Sequence, residues 1–191
     1  MKIIILLSLC YLIGSIPFGI VWARLLGAGN LQNQGSGNIG ATNAFRVGGK
    51  MLGLLTLVSD LGKGMLAVFL AQSSGLAEAW QAYAILFAVF GHVFPIWLYG
   101  KGGKGVATAL GGLLILAPTT AVIAICLWLL TFYFSKAASL ASLAAASFSG
   151  IYFYINYDDY FPIIAAVFLI IYKHKNNIER LLAGKEFRFH K

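Results

Sequence analysis

Gly35-Ser-Gly-Asn-Ile-Gly-Ala-Thr-Asn-Ala-Phe-Arg46 is a polar, glycine-spaced run lying between two apolar stretches, each long enough to cross a bilayer. Its glycines at 35, 37 and 40 allow positive φ and close backbone approach, so successive N–H groups can converge on an oxyanion. Ser36, Asn38, Thr42 and Asn43 add neutral donors, and Arg46 adds a fork that grips phosphate in bidentate fashion. The competing reading is a re-entrant turn whose Ser and Asn side chains satisfy their own backbone.

Outward from this run the chain is mostly hydrocarbon. Of its 191 residues, 60% are hydrophobic and 10% charged, and the mean hydropathy is +0.83. That composition excludes an ordinary soluble domain. The expected fold is all-α: a single polytopic integral membrane domain over residues 1–191 with seven transmembrane helices. A net charge of +8 in a soluble protein would suggest nucleic acid. Here the basic residues sit between apolar segments and in the C-terminal tail, so membrane orientation and anionic substrates account for them, and no nucleic-acid partner is expected. Cys10 and Cys126 lie inside apolar runs without C-x-x-C spacing, so a disulfide framework or zinc site has no support, and both read as small core hydrophobes.

The first span runs from Met1 to Arg24; no small-x-small cleavage site follows it, so it is expected to stay in place. Pro17, flanked by Gly14 and Gly19, predicts a kinked, closely packed helix. Residues 25–50 are expected to form the polar loop. The second span, from Met51 to about Gln72, carries Asp60 and Lys63 three residues apart on one helix face. Charges at that depth are costly, so the two should pair inside the protein. A third span from Leu76 to Tyr99 ends near His92. Gly100-Lys-Gly-Gly-Lys-Gly-Val-Ala-Thr108 is a second glycine-rich loop with two ammonium groups and an immediate helix start, again suited to an anion. It is no Walker A loop, because Lys104 is followed by Gly105 and not by a hydroxyl.

Pro118 divides the next apolar stretch into a short fourth helix to about Ala117 and a fifth to about Phe134. The sixth spans Ala137–Tyr154 and the seventh Tyr160–Tyr172. With the N-terminus outside, this arrangement puts 12 of the 14 Lys and Arg residues, Lys191 among them, on one side, which is then cytoplasmic. Both glycine loops and the polar tail meet there, beside lipid. Composition and spacing alone reach as far as a site for more than one phosphate group at a membrane face. A transporter for a phosphorylated solute, with Asp60 and Lys63 as its relay, would need matching broken helices in two halves. No internal repeat of that kind is visible.

Gly14-Ser-Ile-Pro-Phe-Gly19, the Gly35–Arg46 run, Asp60-Leu-Gly-Lys63, Gly91-His-Val-Phe-Pro95, the Lys101–Thr108 loop and His174-Lys-Asn-Asn177 through Glu186 together resemble the PlsY family, bacterial acyl-phosphate:glycerol-3-phosphate acyltransferases. The resemblance implies an enzyme of the bacterial inner membrane that moves a fatty acyl group from acyl phosphate to the 1-hydroxyl of glycerol 3-phosphate without metal or cofactor. By the same resemblance Ser36, Arg46 and Lys104 would hold phosphate, and Gly37, Gly40, Gly102 and Gly103 would shape the loops. His92, His174 and Asn177 would line the glycerol-phosphate pocket, and Glu186 would brace the tail. Lys101 joins the expected substrate contacts on charge. Ser36, His92 and Asn177 are the expected catalytic residues: Ser36 and Asn177 align the substrates, and His92 or a substrate phosphate oxygen takes the hydroxyl proton.

Overall fold

Pro17 has no N–H and its ring crowds the carbonyl four residues back. The first apolar run therefore folds as α1 (Lys2–Ser15) and α2 (Phe18–Leu25) with a break at Ile16 and Pro17. The predicted close packing is present: a Cβ at Gly14 would strike the backbone of Ala88 in the helix Glu78–Val93, so only glycine lets α1 approach that helix there. The computed structural model describes residues 1–189; Lys191 lies outside the described residues.

Six apolar helices and one polar one follow, numbered in chain order. They are α3 (Ala41–Ser73), α4 (Glu78–Val93), α5 (Val106–Leu116), α6 (Pro118–Ser135), α7 (Ala138–Asn156), α8 (Phe161–Lys173) and α9 (Lys175–Leu182). No strand occurs among the described residues. Among the described residues, five segments are long and apolar enough to cross a membrane: residues 2–25, 41–73, 78–98, 118–135 and 138–156. α5 and α8 are shorter. The 11 residues of α5 reach about 16 Å at 1.5 Å per residue, against a hydrocarbon core of about 30 Å.

The expected loop over residues 25–50 is shorter than the sequence suggested. Helix α3 begins at Ala41, so Thr42, Asn43 and Arg46 stand on a helix. Gly40 is extended (φ −80°, ψ 170°) and lets the chain enter it. Ala44 is fully buried with Ala23, Leu31 and Leu52, and this tertiary contact outweighs the glycine-rich composition. Gly49, at φ 75° and ψ −167°, then breaks the helix in a conformation closed to side-chain-bearing residues. The site-bearing turns before it are thereby set at their own angle to the long apolar segment behind.

α3 packs along α5, α1 along α4, and α6 along α7. Ile85, Val89 and Val93 of α4 meet Leu113 of α5, Phe153 of α7 and Ile163 of α8 in the largest apolar cluster. That cluster lies against one cavity, onto which both glycine loops and the tail also close.

Candidate active site

The first loop takes its shape from one side chain. Asn43 accepts the Ser36 N–H on Oδ1 at 2.8 Å. Through the two N–H groups of Nδ2, one of them shared, it donates to the carbonyls of Leu31, Gln34 and Asn38 at 3.2, 3.0 and 2.8 Å. The amide is thus committed to the backbone, and its place in the site is to hold Ser36 and Asn38 at the cavity wall.

The second loop takes its shape from neighbours pressed against glycines. Gly103 N–H donates to the His92 carbonyl at 3.1 Å. A Cβ on Gly103 would strike the His92 ring, and one on Gly102 would strike the His92 and Val93 carbonyls and Pro95. Docked in this way, the loop turns Lys104 inward. Lys104 Nζ donates to Asn177 Oδ1 at 2.6 Å, Asn177 Nδ2 donates to Glu186 Oε1 at 2.8 Å, and Arg180 Nε donates to Glu186 Oε2 at 2.9 Å. Loop, α9 and tail are linked by this chain of bonds, with the Glu186 carboxylate nearly sealed from solvent.

Burial sets the charge states here. It pulls the Lys104 ammonium down to about 8; Glu186 opposes that shift, and Arg180 and Arg46 add to it. Burial, and then the Lys104 charge, push His174 down to about 4, so its imidazole is neutral around pH 7.

Ser36, Asn38, Gly40, Thr42, Asn43, Arg46, His92, Lys104, His174, Asn177 and Glu186 all line one cavity of about 420 Å³. Gly37, Lys101, Gly102 and Gly103 do not. Lys101 is exposed, and its carbonyl accepts from Gln32 Nε2 at 3.3 Å; the two glycines lie behind the wall and Gly37 in the loop. From its polar end the cavity continues between α5, α6, α7 and α8, past Leu110, Leu113, Trp128 and the small residues Ala138, Ala145 and Ala146.

The structure adds residues that the sequence reading missed. Phe187 and Phe189 place their rings 5.3 and 4.8 Å from the Arg46 guanidinium carbon, and Phe187 lies 5.4 Å from that of Arg180. Glu186-Phe-Arg-Phe189 thus straps the tail over the first loop, and the Phe189 N–H fastens it to the Lys136 carbonyl at 3.0 Å. The alternation of Phe with charged residues was the available signal: in extended chain, residues two apart share a side. The expected pairing of Asp60 and Lys63 is present at 2.9 Å, as an ion pair whose angle falls short of a hydrogen bond.

This geometry suits an amphiphile with an anionic head and an apolar tail, and comparison with known proteins agrees. Residues 4–184 match the family model described as glycerol-3-phosphate acyltransferase. The chain is 44% identical to the glycerol-3-phosphate acyltransferase of Pseudomonas putida over 97% of this chain and 98% of that one. It is 43% identical to that of Bordetella pertussis over 97% and 91%. The crystal structure of PlsY (YgiH), an integral membrane glycerol 3-phosphate acyltransferase, in its glycerol 3-phosphate form matches at TM-score 0.94 and 39% identity, covering 100% of this chain and 96% of that chain. Its lysophosphatidic acid form matches at TM-score 0.89 and 37% identity over the same shares. The chain belongs to the glycerol-3-phosphate acyltransferase (PlsY) family.

Proposed function

We propose that this protein transfers a fatty acyl group from acyl phosphate to the 1-hydroxyl of glycerol 3-phosphate, giving lysophosphatidic acid and phosphate. One observation carries the reading: a single cavity joins a polar end bearing Ser36, Arg46, Lys104, His174 and Asn177 to an apolar end between four helices. Both substrates have a phosphate for the first end, and the donor has an acyl chain for the second.

Acyl phosphate is already activated, since phosphate is a good leaving group. No protein nucleophile is then needed; the site supplies proximity and charge stabilisation. The glycerol oxygen attacks the acyl carbonyl carbon, the carbon–oxygen bond to phosphate breaks, and the hydroxyl proton passes to a phosphate oxygen of the substrates. Arg46 and Lys104 hold the phosphates. Ser36, set by Asn43, and Asn177, set by Lys104 and Glu186, align the partners. The whole chain acts as one membrane domain, with the N-terminus outside and the site at the cytoplasmic face of a bacterial inner membrane. α5 and α8 complete seven crossings, and the distribution of Lys and Arg supports that orientation.

Phosphate release by purified protein in lipid, supplied with palmitoyl phosphate with and without glycerol 3-phosphate, tests this. Release should require both substrates and collapse in Ser36→Ala and Arg46→Ala. Glycerol 3-phosphate crossing proteoliposomes without phosphate release would instead make the protein a transporter.

A further inference from the structure

Acyl transfer as described leaves a buried cluster of three ionisable side chains without a part. Asp60, Lys63 and His92 are 2%, 3% and 5% exposed. Lys63 Nζ lies 2.9 Å from Asp60 Oδ1, 3.1 Å from the Ile16 carbonyl at the α1–α2 break, and 2.7 Å from His92 Nδ1. Two acceptors, the Ile16 carbonyl and His92 Nδ1, take N–H groups of the ammonium, and the Asp60 carboxylate beside it supplies the balancing charge without a hydrogen bond.

An ammonium has no lone pair. A contact of 2.7 Å between Lys63 and His92 Nδ1 therefore requires the lone pair to be on the imidazole, and the ring proton of neutral His92 sits on Nε2. Nε2 faces Gly103, where a Cβ would strike it, beside the inward-turned Lys104. Asp60 Oδ1 is 3.5 Å from Nδ1, too far to compete with Lys63 for that position.

We propose that Lys63 is a positioning residue that locks His92 in its Nε2–H form, so that His92 offers a fixed hydrogen-bond donor beside the anion-holding loop and does not accept the substrate proton. This rests on the acyl-transfer reading for the identity of the substrate, though the tautomer itself does not. His174 provides an internal contrast. Its Nδ1 is 2.8 Å from the Ile170 carbonyl, which can only accept, so His174 carries its proton on Nδ1 and keeps a lone pair on Nε2. Two histidines on one cavity thus hold opposite tautomers.

The test uses the full-length protein in lipid nanodiscs with ¹⁵N-labelled histidine. The chain has three histidines, and the relevant signals are assigned by their loss in His92→Gln and His174→Gln. Wild type should show His92 protonated on Nε2 and bare on Nδ1, and His174 the reverse; a wild-type His92 protonated on Nδ1 overturns the proposal without recourse to any variant. Lys63→Met should move the His92 proton and lower kcat by about 10- to 100-fold, the loss seen when a metal-bound histidine loses the partner that orients it. Lost activity with an unchanged His92 spectrum would make Lys63 merely structural and also overturn it. Phosphate release from palmitoyl phosphate is followed in the same nanodiscs. Its absence in wild type alongside the expected tautomers would sink the acyl-transfer reading and leave the Lys63–His92 assignment standing.

Discussion

Between Gly35 and Asn43 the backbone is held by a side chain, whereas between Gly100 and Gly105 it is held because side chains are missing. Asn43 gathers four backbone groups of the first loop with one amide. The second loop lies directly on His92, Val93 and Pro95, where any Cβ at 102 or 103 would collide. Both arrangements aim a polar group at the same cavity. The first loop should break when an atom is removed and the second when one is added. The first also carries an aromatic cover, Phe187 and Phe189 over Arg46, while Lys104 of the second is tied into a hydrogen-bonded chain ending at Glu186.

The sharpest break is Gly102→Ala. Its Cβ would lie 2.6 Å from the Val93 carbonyl oxygen, which is backbone and cannot swing aside. The loop must lift, and a displacement near 1 Å costs roughly 100-fold in turnover; single-turnover acyl transfer with a thermal melt separates this from misfolding. Asn43→Ala should act from the opposite direction, by leaving the Ser36 N–H and three carbonyls without their partner. Losing buried hydrogen-bond partners costs about 1–3 kcal/mol, or roughly tenfold or more in activity if it falls on the site.

Glu186→Gln keeps the shape of the tail and removes its charge. The proposed grip of Lys104 on phosphate needs its protonated form, so kcat/KM should fall as pH rises through about 8. Glu186 raises the Lys104 pKa, so removing its charge should move that fall to lower pH. A pH profile that does not move would mean that Lys104 is not the cation reporting on substrate binding. Phe187→Ala should have the smallest effect. A cation–π contact at an exposed site is worth about 0.5–1 kcal/mol, so KM for glycerol 3-phosphate should rise about two- to fivefold with kcat nearly unchanged. A larger loss would show that the strap closes over the substrate as well as cushioning Arg46.

Much of this architecture is legible in the order of residues. Apolar runs, their breaks at Pro17 and Pro118 and the pairing of Asp60 with Lys63 follow from short-range rules: proline has no N–H, and a charge buried in hydrocarbon requires a partner. The two glycine loops are legible as polar, glycine-spaced breaks between apolar runs, because backbone freedom and cationic side chains coincide there. The start of helix α3 at Ala41 is not, because local composition favours a loop and only burial of Ala44 against Ala23, Leu31 and Leu52 overrides it. Nor is the role of Asn43. An amide reads the same whether it points at a ligand or at its own backbone, and the choice depends on where four backbone groups of the folded loop lie.

The sequence by itself determined that this chain is helical, apolar and basic between its apolar runs and in its tail, with polar glycine loops, since those properties are sums over neighbouring residues. The tertiary structure alone decided which polar groups share the cavity. It brought Lys104 to Asn177 and Lys63 to His92, pairs 73 and 29 residues apart. It also laid the tail aromatics over Arg46. Such pairings depend on helices packing across long stretches of chain, and no local pattern encodes that distance.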